Sequence, residues 1–348
     1  MTGFVLLDRL GTSGTIRLLA GLLVIPAVVA ALLSPRPARR AALTVGVVTA
    51  MAVPLYLFPG NQVLYGLLHS ADPAEFALAE ERSCVNALIP RNGIETVYIN
   101  GSSQNGYPYD EYHLLIGLLP ALLHPGPERG MALGLGIGAT PFGMAADQRL
   151  REIDTIEICG GQIDLLEGLA ASGSPETAAL LADERVDIAV GDGREHLLGD
   201  GADYDIITVD TLRPQSGYSG NLYSVEFYDL VRSRLADGGM LAQWAPTPRA
   251  LETLTRSFAH VVQFTVPTYF NSPFLVASDS PIPFDRASIV QRLGATGLSG
   301  RMDPNVYGHV DQFVRTAEPV ALTRPSGPAP NGLNRDLFPR DEYFLNNR

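Results

Sequence analysis

From residue 129 to residue 245 short apolar runs alternate with longer amphipathic ones, and no other feature of the sequence restricts the fold as much. "GMALGLGIGA" reads as a strand entering a glycine turn, "REIDTIEIC" as a second strand, "ERVDIAVGDG" as a third behind an intervening helix, and "YDIITVD" as a fourth. "SVEFYDLVRSRLADGG" then has helical spacing and a glycine stop, and "MLAQWA" is a fifth strand. Strands separated by helix-length segments cannot pair as hairpins, so they lie parallel and are covered on both faces by the helices between them. The expectation is an α/β fold with a doubly wound, Rossmann-like sheet.

Such a sheet binds ligands just beyond the carboxyl ends of its strands, and residues with chemistry sit at four of those ends. Gly134, Gly136 and Gly138 form a Gly-x-Gly-x-Gly turn after the first strand, where absent side chains let a ligand approach the backbone. Glu157 closes the second strand, from which a carboxylate can accept both hydroxyls of a ribose. Both features occur in NAD-type and in S-adenosylmethionine-type proteins. Asp192-Gly193, closing the third strand, favours the second type, in which an acid there holds the adenine amino group. Asp192 can also cap the helix opening at "GREHLL", and the two roles are compatible. Asp210 closes the fourth strand, towards the reactive end of such a nucleotide, and is the candidate catalytic base. Arg213-Pro214 stands three residues on, a cation beside that carboxylate.

Upstream, "EYHLLIGLLPALLHPGPERG" (111–130) has helical spacing and should stop at His124-Pro125. His113 within it is either a base or a hydrogen-bonded neighbour. The other histidines show no ligand spacing for a metal, and without a Gly-x-Ser-x-Gly elbow a hydrolase triad has no support. Cys84 and Cys159 are lone cysteines, indicating neither zinc nor a disulfide framework. All 25 basic residues are arginines, which removes Schiff-base and P-loop lysine chemistry. The net charge of -12 argues against a nucleic-acid partner.

Hydrophobic residues make up 46% of the chain, and much of the excess lies at the N-terminus. Residues 16–34 are nearly uncharged over almost the length of a bilayer span, and 41–58 form a second, marginal run. A signal peptide is the alternative for the first run, but the second run behind it favours a helical hairpin. Arg36, Arg39 and Arg40 lie between the runs, and the positive-inside rule places them in the cytoplasm. Two spans then put the rest of the chain outside, and one span puts it inside. Next, "VNALIPRNGIETVYINGSSQNG" (85–106) reads as short strands around an Arg-Asn-Gly turn, and "TRPSGPAPNG" (323–332) as a loop.

These motifs together resemble the spermidine synthase (polyamine aminopropyltransferase) family, specifically its bacterial branch with N-terminal membrane segments. The resemblance runs from about Ser83 to about Ala277. It is carried by "LPALLHPGPERGMALGLGIGAT", "ERVDIAVGDGREHL" and "SGNLYSVEFYDLVRSRLADGGMLAQW". It implies an adenosylmethionine-dependent transferase fold with a small N-terminal β-hairpin domain. Decarboxylated S-adenosylmethionine, or S-adenosylmethionine itself, would be the co-substrate, with no metal. An amine would be the acceptor and Asp210 the base. It further implies that Gln104 and His113 bind the nucleotide, with Glu157 at the ribose and Asp192 and Gly193 at the adenine. Tyr112 would stand over the acceptor. A homodimer and an inner-membrane location with the catalytic domain in the cytoplasm complete the picture.

Three positions depart from the family pattern. Ile137 stands where an acid holds the aminopropyl end of the donor, Leu114 replaces an acid after the Tyr-His pair, and Arg213 replaces the second acid of the strand-four motif. Unit charges about 4 Å apart interact by roughly 4 kcal/mol at an effective dielectric near 20, and an Asp-to-Arg change reverses the sign. Putrescine should therefore be a poor acceptor if Arg213 faces it. The expected organisation is an anchor over 1–58, a linker over 59–82, a hairpin domain over 83–108, a Rossmann-like catalytic domain over 109–285 and a C-terminal extension over 286–348.

Overall fold

The computed structural model describes residues 5–33, 37–199, 201–211, 216–217, 219–330 and 332–342. The chain forms two compact units, Met1–Gly93 with Tyr98–Ser103, and Ile94–Val97 with Gln104–Arg348.

The first unit opens with α1 (Leu7–Leu32) and α2 (Pro37–Leu57), followed by α3 (Asn61–His69), β1 (Ala77–Glu80) and β2 (Val85–Arg91). Both α1 and α2 are long and apolar enough to cross a membrane. Leu22, Leu23, Ile25 and Val29 of α1 and Val45, Val53 and Leu57 of α2 are exposed. The segment expected as a linker over 59–82 is folded, because Phe76 packs with Ala87 and Ile89 and is flanked by Tyr65 and Leu78. β1 pairs antiparallel with β2. The turn expected at Arg-Asn-Gly is present, with Asn92 and Gly93 both at positive φ, the two-residue hairpin geometry that Asn-Gly favours. β3 (Ile94–Ile99) and β4 (Ser102–Tyr107) follow it, joined through Asn100-Gly101, also at positive φ.

The second unit carries α4 (Glu111–Leu123), β5 (Arg129–Leu133), α5 (Ala139–Ala145), β6 (Glu152–Glu157), α6 (Gly160–Ala171), α7 (Pro175–Leu181), β7 (Val186–Val190), α8 (Gly193–Gly199) and β8 (Tyr204–Val209). After these come α9 (Val225–Arg234), β9 (Leu235–Trp244), α10 (Pro248–Ser257), β10 (His260–Val266), β11 (Ser272–Ser278), α11 (Arg286–Ala295), α12 (Pro304–Thr316) and β12 (Val320–Leu322). Their sheet runs β12-β10-β11-β9-β8-β5-β6-β7. The five strands from β9 to β7 are parallel, as expected, and the hairpin β10–β11 and β12 add an antiparallel flank. From β5 the chain winds outward through β6 and β7, then returns to β5's other side as β8. That reversal is the switch point of a doubly wound sheet, where a crevice opens for a ligand. Met131, Leu133, Ile207, Val209, Phe227, Tyr228 and Leu241 form the core that fixes it.

Two boundaries differ from the sequence reading. The helix expected through the glycines of "SVEFYDLVRSRLADGG" ends at Arg234, and Leu235–Gly239 already belong to β9, with Gly238 at φ 80° and a register shift opposite Tyr204–Ile206. Here pairing with β8 overrides local helical spacing. The region read as a C-terminal extension from 286 supplies β12 to the main sheet. Neither Cys84 nor Cys159 is a free thiol, which corrects the reading of two lone cysteines; chain spacing gives no sign of where a cysteine's sulfur lies in space.

Candidate functional site

The pairing of β5 with β8 puts the glycine turn and Asp210 side by side. Leu133 lies opposite Val209, and the Asp210 backbone N–H donates to the Leu133 carbonyl at 3.0 Å. Gly134 has φ 94°, and a Cβ there would lie 2.4 Å from the Asp210 carbonyl oxygen, so only glycine fits. Gly136 and Gly138 also have positive φ. Gln162 of α6, fully buried, donates to the Gly136 carbonyl at 2.8 Å, and a Cβ on Gly136 would meet the Asn105 amide of β4 at 3.0 Å. Gln104, next to Asn105, is half-buried on the same strand.

Glu157, at the end of β6, is 5% exposed. One carboxylate oxygen accepts from the Leu135 backbone N–H at 2.8 Å and the other from Cys159 at 2.8 Å, which ties the strand end to the glycine turn. Burial pushes its carboxyl above the usual range, and backbone N–H donors oppose the rise. Asp192 is exposed, and its carboxylate accepts from the backbone N–H groups of Arg194 at 2.8 Å and Glu195 at 3.2 Å, the capping role foreseen for it. A Cβ on Gly193 would collide with the Leu133 side chain at 1.9 Å.

Asp210 stands at the tip of β8. One carboxylate oxygen lies 2.5 Å from the Thr140 hydroxyl at the start of α5, and the other lies 4.0 Å from His113 Nε2. The Asp210 carboxyl is raised, first by burial, against the opposing pull of His113 and Thr140. His113 is fixed in turn by Asp110, the N-cap of α4, whose two carboxylate oxygens both lie 2.8 Å from Nδ1. Burial works against the imidazolium, yet the carboxylates of Asp110 and Asp210 raise its pKa to about 9. The side chains of Asp110, His113 and Asp210 are 21%, 14% and 13% exposed, so a small molecule can still reach them. Tyr112 stacks on Tyr269 from the β10–β11 turn at 4.8 Å and 10°, and its hydroxyl donates to the Pro273 carbonyl at 2.9 Å. Tyr269 also meets the His113 ring edge-on at 5.8 Å.

The structure therefore gathers Gly134, Gly136, Gly138 and Glu157 around one turn, and brings Tyr112, His113 and Asp210 together beside it. Arg213 lies outside the described residues. Ile137 and Leu114, where the family pattern has acids, are 1% and 0% exposed and belong to the core. Asp110, Thr140, Asn105, Gln162 and Tyr269 were missed from sequence. Only Asp110 carried a local signal, an acid three residues before a histidine at a helix start; the others depend on long-range packing.

A Rossmann-like domain with buried carboxylates at its switch point is the class these features define. Residues 109–280 match the spermine/spermidine synthase domain, and over that stretch the chain is similar to that family. Similar curated proteins include the polyamine aminopropyltransferase of Bacillus mycoides (strain KBAB4), 27% identical over 168 residues, which cover 45% of this chain and 59% of that one. That of Moorella thermoacetica is 30% identical over 168 residues, covering 45% and 58%. The chain thus spans about 59% of the length of the first of these relatives. Among solved structures, a spermidine synthase in complex with the transition state analogue AdoDATO has a TM-score of 0.55 at 18% identity, covering 68% of this chain and 88% of that one. Spermidine synthase from Thermotoga maritima has a TM-score of 0.53 at 18% identity, covering 68% and 87%. At such identities the likeness is one of fold.

Proposed function

We propose that this protein is a membrane-anchored transferase that moves an aminopropyl group from decarboxylated S-adenosylmethionine to an amine acceptor, with Asp210 as general base. The observation that carries the reading is the placement of the Asp210 carboxylate, 13% exposed, at the switch point between the glycine turn and His113. The names of the curated relatives support the reaction class.

The residues present fit the nucleotide. In this reading the turn of Gly134, Gly136 and Gly138, whose positive φ glycine tolerates, faces the nucleotide, Glu157 beside it faces the ribose, and Asp192 with Gly193 lies at the next strand end for the adenine. Gln104 and His113 border the same space in this reading, and Tyr112 and Arg213 flank the acceptor. The amine nitrogen attacks the methylene next to the sulfonium, the C–S bond breaks with its electron pair going to sulfur, and Asp210 takes the amine proton. The sulfonium leaves readily as a neutral thioether, so the protein's work is to orient the partners and accept a proton.

A second reading, transfer from intact S-adenosylmethionine to a non-polyamine acceptor, is favoured by Ile137. A buried aliphatic side chain replaces the acid that would neutralise the donor's free amine. Calorimetry with both nucleotides, followed by assay of thioether release over a panel of amines, separates the two. Binding of the decarboxylated nucleotide with thioether release is expected. Preference for the intact nucleotide would transfer the assignment to the second reading, and binding without release on any acceptor would leave a nucleotide-binding domain that is not an enzyme. Membrane attachment through α1 and α2, a cytoplasmic catalytic domain and a homodimer belong to the same proposal.

A further inference from the structure

The cluster around Asp210 contains a charge chain that neither the family pattern nor the named relatives assign. Asp110 opens α4 and grips Nδ1 of His113 with both carboxylate oxygens at 2.8 Å, while Nε2 of the same ring faces Asp210 at 4.0 Å. A carboxylate only accepts, so Nδ1 carries a proton and the ring is oriented by it. We propose that Asp110 is a positioning residue for Asp210, acting through His113, which it holds as a fixed imidazolium between two carboxylates. This rests on the reading of Asp210 as the base.

The physical need is plain. Asp110 and Asp210 flank one ring, and without a cation between them burial and the second carboxylate would push the Asp210 carboxyl further up, leaving less of it ionised to act as a base. The other groups facing His113 do not supply that cation. Tyr112 and Tyr269 present ring edges, and Thr140 from α5 meets the His113 carbonyl at 2.9 Å. Burial pushes the Tyr112 hydroxyl above its ordinary range, and that of Tyr223, which acts on Asp210 electrostatically, likewise. Both stay neutral near pH 7. Burial also opposes ionisation of Asp110, but His113 outweighs it and holds that carboxyl below the ordinary range.

Thr140 completes the arrangement. Its oxygen is 2.5 Å from Asp210 and 2.9 Å from the His113 carbonyl, and it has one hydrogen to give. It donates to Asp210 when that group is ionised. Once Asp210 has taken the amine proton, with the N–H bond broken and its pair left on nitrogen, the new O–H donates to Thr140 and Thr140 donates to the His113 carbonyl. No buried polar group is stranded in either state.

The test uses the full chain in detergent micelles with isotope-labelled histidine imidazoles, His113→Gln identifying the His113 signal. Asp110→Asn still caps the helix, since Asn and Asp are comparable there, so thermal stability should change little. The His113 titration midpoint should fall by about one pH unit or more as the flanking charge is lost. In transfer assays the same variant should lose roughly ten-fold or more in kcat with little change in nucleotide KM. Its acidic limb should move to lower pH, because the ring stays protonated there while the Asp110 charge that helps raise the Asp210 carboxyl is gone. Asp110→Glu should recover part of the rate, and Asp110→Asn should cost nothing further in the His113→Gln background. An unmoved His113 midpoint, or an equal loss in both backgrounds, would overturn the proposal. A midpoint that falls in a protein with no transfer activity on any acceptor would uphold the charge chain and sink the reading of Asp210 as base.

Discussion

At the residue scale the whole proposal turns on Asp210. Its carboxylate must be ionised to take a proton, and burial raises its pKa above the ordinary value. The sign follows directly: activity should be lost on acidification at a pH above the ordinary aspartate midpoint of about 3.9. Asp210→Asn should lower kcat by about 10²- to 10⁴-fold and abolish that limb while nucleotide binding persists. A variant retaining more than a tenth of the rate would remove Asp210 from the role. Glu157, Asp192 and Asp210 were legible in sequence because each follows an apolar strand, and strand ends in a parallel sheet share one edge. Thr140 and Tyr269 were not, since a threonine in a helix or a tyrosine in a turn looks the same whether or not a carboxylate or a ring lies opposite. Arg213 remains a sequence-level argument about acceptor charge, its position lying outside the described residues.

Among the elements, the least expected contribution comes from the last described stretch, residues 332–342, read from sequence as part of a C-terminal extension behind a proline-glycine loop. It has little regular structure, yet Asn334 and Asp341 are 0% and 1% exposed. The Asn334 carbonyl accepts from Val225 at the start of α9, and its backbone N–H donates to Thr253 of α10. Asp341 accepts from Asn334, from the guanidinium of Arg249 and from the hydroxyl of Thr247, the N-cap of α10, and so braces that helix. Asp336 accepts from Arg194 in α8 and from Ser224, the N-cap of α9. No spacing rule reaches across partners so distant in the chain, so polarity suggested a free loop where tertiary bonding makes a brace. Asp341→Ala leaves the Arg249 guanidinium, 11% exposed, without its buried carboxylate and should destabilise the second unit by about 3–5 kcal/mol. Denaturant unfolding followed by the near-ultraviolet signal of Trp244 measures this, and a loss below about 1 kcal/mol would show that the brace is dispensable. The helix-to-strand boundary at Arg234 carries the same lesson, because hydrogen bonding to a neighbouring strand outvotes local periodicity.

For the whole molecule, the alternation of strands and helices made the parallel sheet legible, because geometry leaves few ways to connect parallel strands. The antiparallel flank carried no such signal, and neither did the relation between the chain and a membrane. That relation rests on two helices, Leu7–Leu32 with hydropathy 2.3 and Pro37–Leu57 with hydropathy 1.6, and on apolar side chains left exposed along both. Apolar surface of that length is unfavourable in water and is accommodated by a bilayer. The full chain should therefore stay with membranes through an alkaline carbonate wash, and release into the supernatant would sink membrane anchoring. Sidedness sets two physical arguments against each other. With two full spans, the arginines at 36, 39 and 40 draw the bend into the cytoplasm and send everything after α2 outside. With Leu7–Leu32 as the sole span, the same arginines keep the bend and all that follows inside. The lower hydropathy of α2 and the two arginines in its first turn, Arg39 and Arg40, weaken it as a span. A transferase that uses an adenosylmethionine-type donor also needs access to a cytoplasmic nucleotide pool. Both considerations favour the inside, so a phosphatase fused after residue 80, which matures only outside the cytoplasm, should be inactive. An active fusion would make α2 a true span, place the Asp210 crevice outside the cell and leave aminopropyl transfer without its donor.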